Sequence, residues 1–201
     1  MSAKRVEQPY QLAADPVSDT ELLAKVAAGD AVAFRAMVDR HLPVMLAVAR
    51  RMLRDDAEAE DVAQEAMLRL WRSSPRLEVG EHGARPWLRR VVSNLCIDRV
   101  RANRNTTVVD DIPEQPQAAD QVTAIERRES ALRVDTALKG LPERQRLALV
   151  LFHYEGASQV EIGKTMGISD EAVESLLSRA RRSLKGTLAA EWRDLLTNPL
   201  D

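Results

Sequence analysis

Residues 55–65 gather six carboxylates: Asp55, Asp56, Glu58, Glu60, Asp61 and Glu65. Asp61 and Glu65 are four residues apart and share a face of a helix, the least that a divalent cation would need beside a substrate phosphate. No partner carboxylate motif or general base follows elsewhere, so an acidic docking face explains the cluster better than a metal-dependent nuclease does. His41, His82 and His153 show no metal-ligand spacing with one another or with Cys96. There is no glycine-rich phosphate loop and no nucleophile motif. The expectation is a non-enzyme with no catalytic residue, no cofactor and no metal; its chemistry is charge recognition.

The cations complete that picture. Residues 85–104 carry six arginines (Arg85, Arg89, Arg90, Arg99, Arg101 and Arg104) against Asp98 alone. Residues 179–185 hold Arg179, Arg181, Arg182 and Lys185 with no acid, whereas residues 105–126 hold five acids and no base. Two basic patches can meet phosphate, but the net charge of −2 argues against indiscriminate polyanion binding. Each cluster taken singly is also what a solvated helix face looks like.

The sharpest local pattern lies at 158–185. Ser158-x-x-Glu161 forms a capping box that opens a short helix through Met166. Gly167-Ile168-Ser169 then supplies a tight turn, with Gly167 at positive φ and Ser169 capping the next helix. Val173, Leu176, Leu177, Ala180 and Leu184 make a buried stripe facing Ile162, Met166 and Ile168. This spacing matches a DNA-reading helix-turn-helix. Its outward face offers Glu174, Ser175, Ser178, Arg179 and Arg182 to a major groove, where Arg179 could read guanine bidentately and Glu174 accept from cytosine. Arg181 and Lys185 would take phosphates.

The elements that must carry these groups are helical throughout. Residues 1–17 read as a loose tail. Ser18-x-x-Glu21 is another capping box, and apolar spacing stays helical to about residue 104, with Trp87, Leu88, Val91, Val92, Leu95 and Ile97 forming one buried face after the Pro75–Ala84 loop. Residues 105–127 lose that periodicity and read as an acidic, flexible linker. Helical patterning returns near Ile125, with Pro142 as a first helical residue and Gly156 as a stop. The fold class is all-α: a domain at 18–104, the linker at 105–127 and a helix-turn-helix domain at 128–188.

Composition agrees with a globular chain of 201 residues, 45% hydrophobic and 30% charged, with only 3% aromatics. A single cysteine excludes an intramolecular disulfide and suits a reducing compartment. No apolar run approaches the roughly 20 residues that span a bilayer, and the N-terminus lacks a secretory h-region. A cytoplasmic protein without direct membrane insertion is expected.

Two patterns together resemble a known family. DAEAEDVAQEAMLRLWR (56–72) followed by ARPWLRRVVSNLCIDRVR (84–101) resembles the second conserved region of bacterial sigma factors, and LPERQRLALVLFHYEGASQVEIGKTMGISDEAVESLLSRARRSLK (141–185) resembles their fourth. The short length and a linker in place of a third domain are similar to the extracytoplasmic-function (ECF) group, over residues 18–188. The resemblance implies that Asp61, Gln64, Glu65 and Leu68 dock on the polymerase β′ clamp. It implies that Asn94 and loop 75–84 capture an unpaired −10 base, while Arg89, Arg90, Arg99, Arg101 and Arg104 hold the strands. Trp87 would either stack there or sit in the core. The recognition helix would meet the −35 element, although Glu174 and Leu176 stand where several members carry basic residues, and Leu176 could pack inward. The first helices of the second domain would rest on the β flap. The linker would thread toward the active site. An anti-sigma factor, in this group often membrane-bound, would hold the protein inactive until a stress releases it.

The competing reading is a helix-turn-helix regulator that is not a polymerase subunit. It leaves the acidic and arginine-rich helices of the first domain without a role.

Overall fold

The computed structural model describes residues 17–106 and 133–197, with side chains described for 17–103 and 133–189. The N-terminal tail, most of the 105–127 linker, and Ile125 and Leu132 lie outside the described residues. In the first half, α1 (Asp19–Ala27) begins at the Ser18 capping box, in which the Ser18 hydroxyl accepts from the Glu21 N–H and the Glu21 carboxylate accepts from the Ser18 N–H. The Asp30 carboxylate caps α2 (Ala31–Met52) by accepting from the Val32 and Ala33 amides, and Asp55 caps α3 (Asp56–Ser73) in the same way through Glu58. A 3₁₀ turn (Ser74–Arg76) and a loop lead to α4 (Arg85–Thr106).

The second half holds α5 (133–139), α6 (Glu143–His153), α7 (Gln159–Met166) and α8 (Asp170–Thr197). Gly167, at φ 64°, closes α7 in the left-handed region, and the Ser169 hydroxyl accepts from the Ala172 amide at the start of α8, as the turn residues predict. Pro142 differs from expectation by one position. At ψ 138° it is the N-cap of α6 rather than its first helical residue, and its carbonyl still accepts from Arg146.

Met37, Met45, Met52, Leu70, Leu88 and Val92 fill the first half; Leu138, Leu147, Leu151, Ile162 and Leu177 fill the second. These buried side chains form one contiguous apolar cluster, because α6 packs on α2 and α7 packs on α4. The two halves are docked against each other.

A polar staple fixes the entry to α4. Asp19 accepts from Arg40 at 2.6 Å and from the Ala84 amide at 2.7 Å, and lies 3.0 Å from His41 Nε2. Burial pushes its carboxyl up, but His41, the Ala84 amide and Arg40 together outweigh that and hold it well below the usual range. Gly83, at φ 61°, lets the chain pass this carboxylate: a Cβ there would collide with Asp19.

Candidate nucleic-acid interface

The acidic helix α3 divides its carboxylates by task. Asp55 caps the helix, Asp56 and Glu60 face Arg50, and Glu58 accepts from Asn103. Glu65 accepts from Arg69 at 2.8 Å, which holds its carboxyl below the ordinary value. Among the described residues Asp61 has no ion-pair partner. It is exposed together with Gln64 and Leu68, the last at 47%, and the spacing i, i+3, i+7 puts all three on one open stripe. No group of three His, Cys, Asp or Glu that could hold a metal occurs among the described residues.

Helix α4 presents its cations unequally. Arg90 and Asn94 are exposed. Arg101 is 59% exposed and reaches Glu143 at 2.9 Å. Arg104 lies in the last turn of α4, with its side chain outside the described residues. Trp87 is half-buried against the core, which favours packing over a freely stacking ring. Cys96 is fully buried, and burial pushes its thiol up to about 12, as befits a small core residue.

Arg89 departs from the open phosphate contact that the arginine run suggests. It is buried, its Nε 2.6 Å from Glu155 Oε2 and its Nη1 3.2 Å from Glu161 Oε1. Burial raises the Glu155 carboxyl above its ordinary value despite Arg89. Glu161 goes the other way: the Ser158 amide, then the Ser158 hydroxyl and Arg89, bring it down to about 2 against a smaller opposing effect of burial.

On the helix-turn-helix, the turn folds so closely onto α7 that a Cβ on Gly163 would lie 2.9 Å from the Ile168 carbonyl oxygen, and Val173 of α8 would be 3.8 Å away. Val173, Leu177 and Ala180 are buried in the seam, and Leu176 is half-buried against the same core. Glu174, Ser175, Ser178, Arg179 and Arg182 are all exposed. Arg181 leans over the Phe152 ring, 5.2 Å from its centroid.

Sequence reasoning did not single out Asp19, Arg146 or Glu155. Buried Arg146 donates to the carbonyls of Met52 (2.6 Å), Lys139 (2.5 Å) and Leu141 (3.1 Å), joining α2 to the second half. A signal existed for it, since Arg146 shares a helix face with Leu149 and Val150. Glu155 sits in a turn with no periodicity to expose it.

Comparison with known proteins matches this geometry. The description "Sigma-70 region 2" fits residues 37–106 and "Sigma-70, region 4" fits residues 131–184. ECF RNA polymerase sigma factor SigM of Mycobacterium tuberculosis is 33% identical over 169 residues, covering 83% of each chain. SigL of the same species is 34% identical over 167 residues, covering 81% of this chain and 92% of the relative. The "Probable RNA polymerase sigma factor RfaY" of Xanthomonas campestris is 31% identical over 175 residues, and the match spans only 43% of that longer protein. CnrH, solved in complex with the cytosolic domain of CnrY, superposes with a TM-score of 0.64 at 27% identity, over 86% of this chain and 97% of that one. The sigma factor RpoE of Bartonella quintana, solved with the anti-sigma factor NepR, shares the fold at TM-score 0.62 and 21% identity, over 78% of this chain and 96% of its own.

The two matched families, in this order along the chain, are those of transcription initiation factors. The chain belongs to the ECF group of the bacterial sigma-70 family.

Proposed function

We propose that this chain is a dissociable initiation subunit of bacterial RNA polymerase, acting in the cytoplasm. It recruits core enzyme to promoters with separated −10 and −35 elements, and nucleotide addition stays in the polymerase. The observation that carries this reading is the ordered pair of family matches, with a region 2 module ahead of a region 4 module, in a chain a third identical to ECF sigma factors.

In this reading the domains run over 18–104 and 128–188, and the acidic 105–127 segment spans the gap. Asp61, Gln64, Glu65 and Leu68 form the face toward the β′ clamp; the open Asp61 with Gln64 and Leu68 suits a basic surface with apolar contact, and Glu65 stands beside them paired to Arg69. Arg90, Asn94 and Arg101, with Arg104, supply phosphate contacts and base capture at −10, joined by Arg89 once it is uncovered. Capturing a flipped base costs a few kcal/mol of unstacking, which the cationic face offsets. Trp87 supports that face from the core side. Glu174, Ser175, Ser178, Arg179 and Arg182 read the −35 element, and the half-buried Leu176 packs rather than reads.

An anti-sigma factor is the expected regulator, a reading supported by the solved complexes of CnrH and RpoE. No described helix of this chain is long and apolar enough to cross a membrane.

The deciding experiment is in vitro transcription with purified core polymerase and a genomic promoter pool. A discrete set of start sites appearing only when the chain is added is the expected result. Specific promoter binding by the chain alone, with no polymerase-dependent initiation, would favour the regulator reading instead. Within such a system Asn94→Ala should reduce permanganate-reactive melting more than it reduces core binding.

A further inference from the structure

Residues 77–84 form neither helix nor strand, yet a pocket that receives an extruded base must hold its shape to within about 0.5 Å. Two anchors hold this loop. At its start the buried Ser74 donates to the Trp71 carbonyl at 2.8 Å, and Leu77 and Val79 lie half-buried against the core. At its end the Gly83 amide donates to the Gly80 carbonyl at 3.0 Å, closing a turn whose middle residues, Glu81 and His82, are exposed. The amide of the next residue, the wholly buried Ala84, donates to Asp19 Oδ2 at 2.7 Å.

Asp19 stands 65 residues earlier in the chain, at the first position of α1. An acid there ordinarily faces water and complements the helix dipole, and the Ser18 capping box already serves this helix. The Asp19 side chain is instead only 8% exposed, and its bonds leave its own helix. Arg40 donates to Oδ1 at 2.6 Å, and His41 Nε2 lies 3.0 Å from Oδ2, the oxygen that takes the Ala84 amide. A carboxylate drawn out of water is costly unless fixed partners fill its lone pairs. Two of the contacts come from α2 and one from the loop end, so the carboxylate carries the position of α2 to the start of α4. Gly83 lies so close that a Cβ on it would collide with the same carboxylate, so the loop end packs on Asp19 as well as bonding to it.

We infer that Asp19 is the positioning residue of the base-capture loop: held by Arg40 and His41, it pins the Gly83–Ala84 end and thereby sets the one conformation in which the Glu81–His82 tip and the first turn of α4 receive an unpaired −10 base. Asp19 itself touches no DNA. That the loop receives a base rests on the sigma-factor reading; the pin does not. A charged acceptor on a backbone amide is about twice as strong as a neutral one, so Asp19→Asn weakens the pin while nearly preserving shape.

The test uses the full chain, alone and as holoenzyme with core polymerase, as wild type, Asp19→Asn and Val48→Ala. Val48 is buried in α2 about two turns beyond His41, and its truncation destabilises the same domain without removing any bond to the loop end. In the wild-type chain, hydrogen exchange should protect the Ala84 amide like the core of α4; exchange at the rate of Glu81 and His82 overturns the pin. On promoter libraries randomised through the −10 and −35 elements, Asp19→Asn holoenzyme should lose about tenfold of its preference at one −10 position, the scale of a single misread base pair. Its −35 preferences and core affinity should stay as in wild type, and Val48→Ala should keep both sets of preferences at matched holoenzyme concentration. An unaltered −10 preference in Asp19→Asn overturns the inference. So does a loss shared equally with the −35 element, or an equal −10 loss in Val48→Ala, since either makes the effect one of stability. If circular dichroism shows Asp19→Asn to be unfolded, Asp19→Glu decides by the same readouts, because it keeps the charge beside Arg40 and His41 and moves the acceptor by one methylene. Wild-type chain that protects Ala84 but gives no initiation with core polymerase removes the sigma-factor reading and leaves the pin standing.

Discussion

Arg89 and Glu155 meet at 2.6 Å across the junction of the two halves, with both side chains almost wholly removed from water. The first comes from the arginine-rich helix and the second from a turn 66 residues further along the chain. Breaking one partner of such a pair leaves the other charge buried and uncompensated, whereas replacing both with apolar groups of similar size can be neutral. Arg89→Met should therefore cost about 3–5 kcal/mol of the urea-unfolding free energy, less whatever the chain recovers by opening the seam. Arg89→Met with Glu155→Leu should recover most of that loss. A double-mutant cycle in which the two single costs simply add would show that the groups are not coupled.

Asp19 offers a pH test of the first half alone. Its folded carboxyl lies well below its ordinary 3.8, so its contribution is present above that value and is lost as pH falls below it. Wild type should lose thermal stability on acidification more steeply than Asp19→Asn, which has already given up the charged bonds to Arg40 and His41. Gly83→Ala should be destabilised by about 1–3 kcal/mol at all pH values, since a Cβ at φ 61° adds strain and meets the Asp19 carboxylate. Equal acid slopes for wild type and Asp19→Asn would detach the pH dependence from this group.

Cys96 reports on opening of α4. Fully buried, with its thiol pushed up to about 12 by burial, it should react with a thiol reagent at neutral pH only through unfolding. The sign follows from a raised folded value. Its contribution is present below the ordinary 9.0 and is lost as pH climbs toward 12. Labelling in mild urea should follow the global unfolding curve. Rapid labelling of the native protein would mean that α4 opens locally.

How far the sequence reached depended on whether the signal was local. Caps and turns are local, and Ser18, Ser158, Gly167 and Ser169 stand where their spacing puts them. Pro43 shows the opposite case: it lies exposed inside α2, and the helix continues through it because apolar contacts on either side hold both turns. The open face of α8 was legible because an amphipathic helix with one buried stripe leaves its other side exposed. Arg89 was not. Helix α4 is buried on two sides, by its own domain along Leu88, Val92 and Cys96 and by the second half along Arg89 and Ser93. No pattern within α4 announces a neighbour that arrives from beyond residue 132.

The α3 stripe predicts a partner-binding defect without a folding defect. Asp61, Gln64 and Leu68 are exposed, so Asp61→Ala with Gln64→Ala should leave the unfolding free energy within about 0.5 kcal/mol of wild type, the ordinary range for surface changes. Affinity for core polymerase should fall about tenfold, as expected when charged and polar anchors leave an interface. Native core affinity in a pull-down titration would move the docking face elsewhere.

Arg179 carries the base-reading prediction. It is exposed on α8 beside Ser175 and Ser178, opposite the buried Val173, Leu177 and Ala180, so truncation removes a groove-facing donor without disturbing the seam. A bidentate arginine–guanine contact is worth about 1–3 kcal/mol of discrimination at one base pair, whereas a phosphate contact weakens all sequences alike. Arg179→Ala holoenzyme, assayed on a library randomised through the −35 element, should lose preference at one position and keep the rest. Arg182→Ala, a turn further along the helix, serves as the comparison. If Arg179→Ala lowers output uniformly and leaves every positional preference intact, its role is phosphate contact, and the −35 specificity must come from Glu174, Ser175 and Ser178.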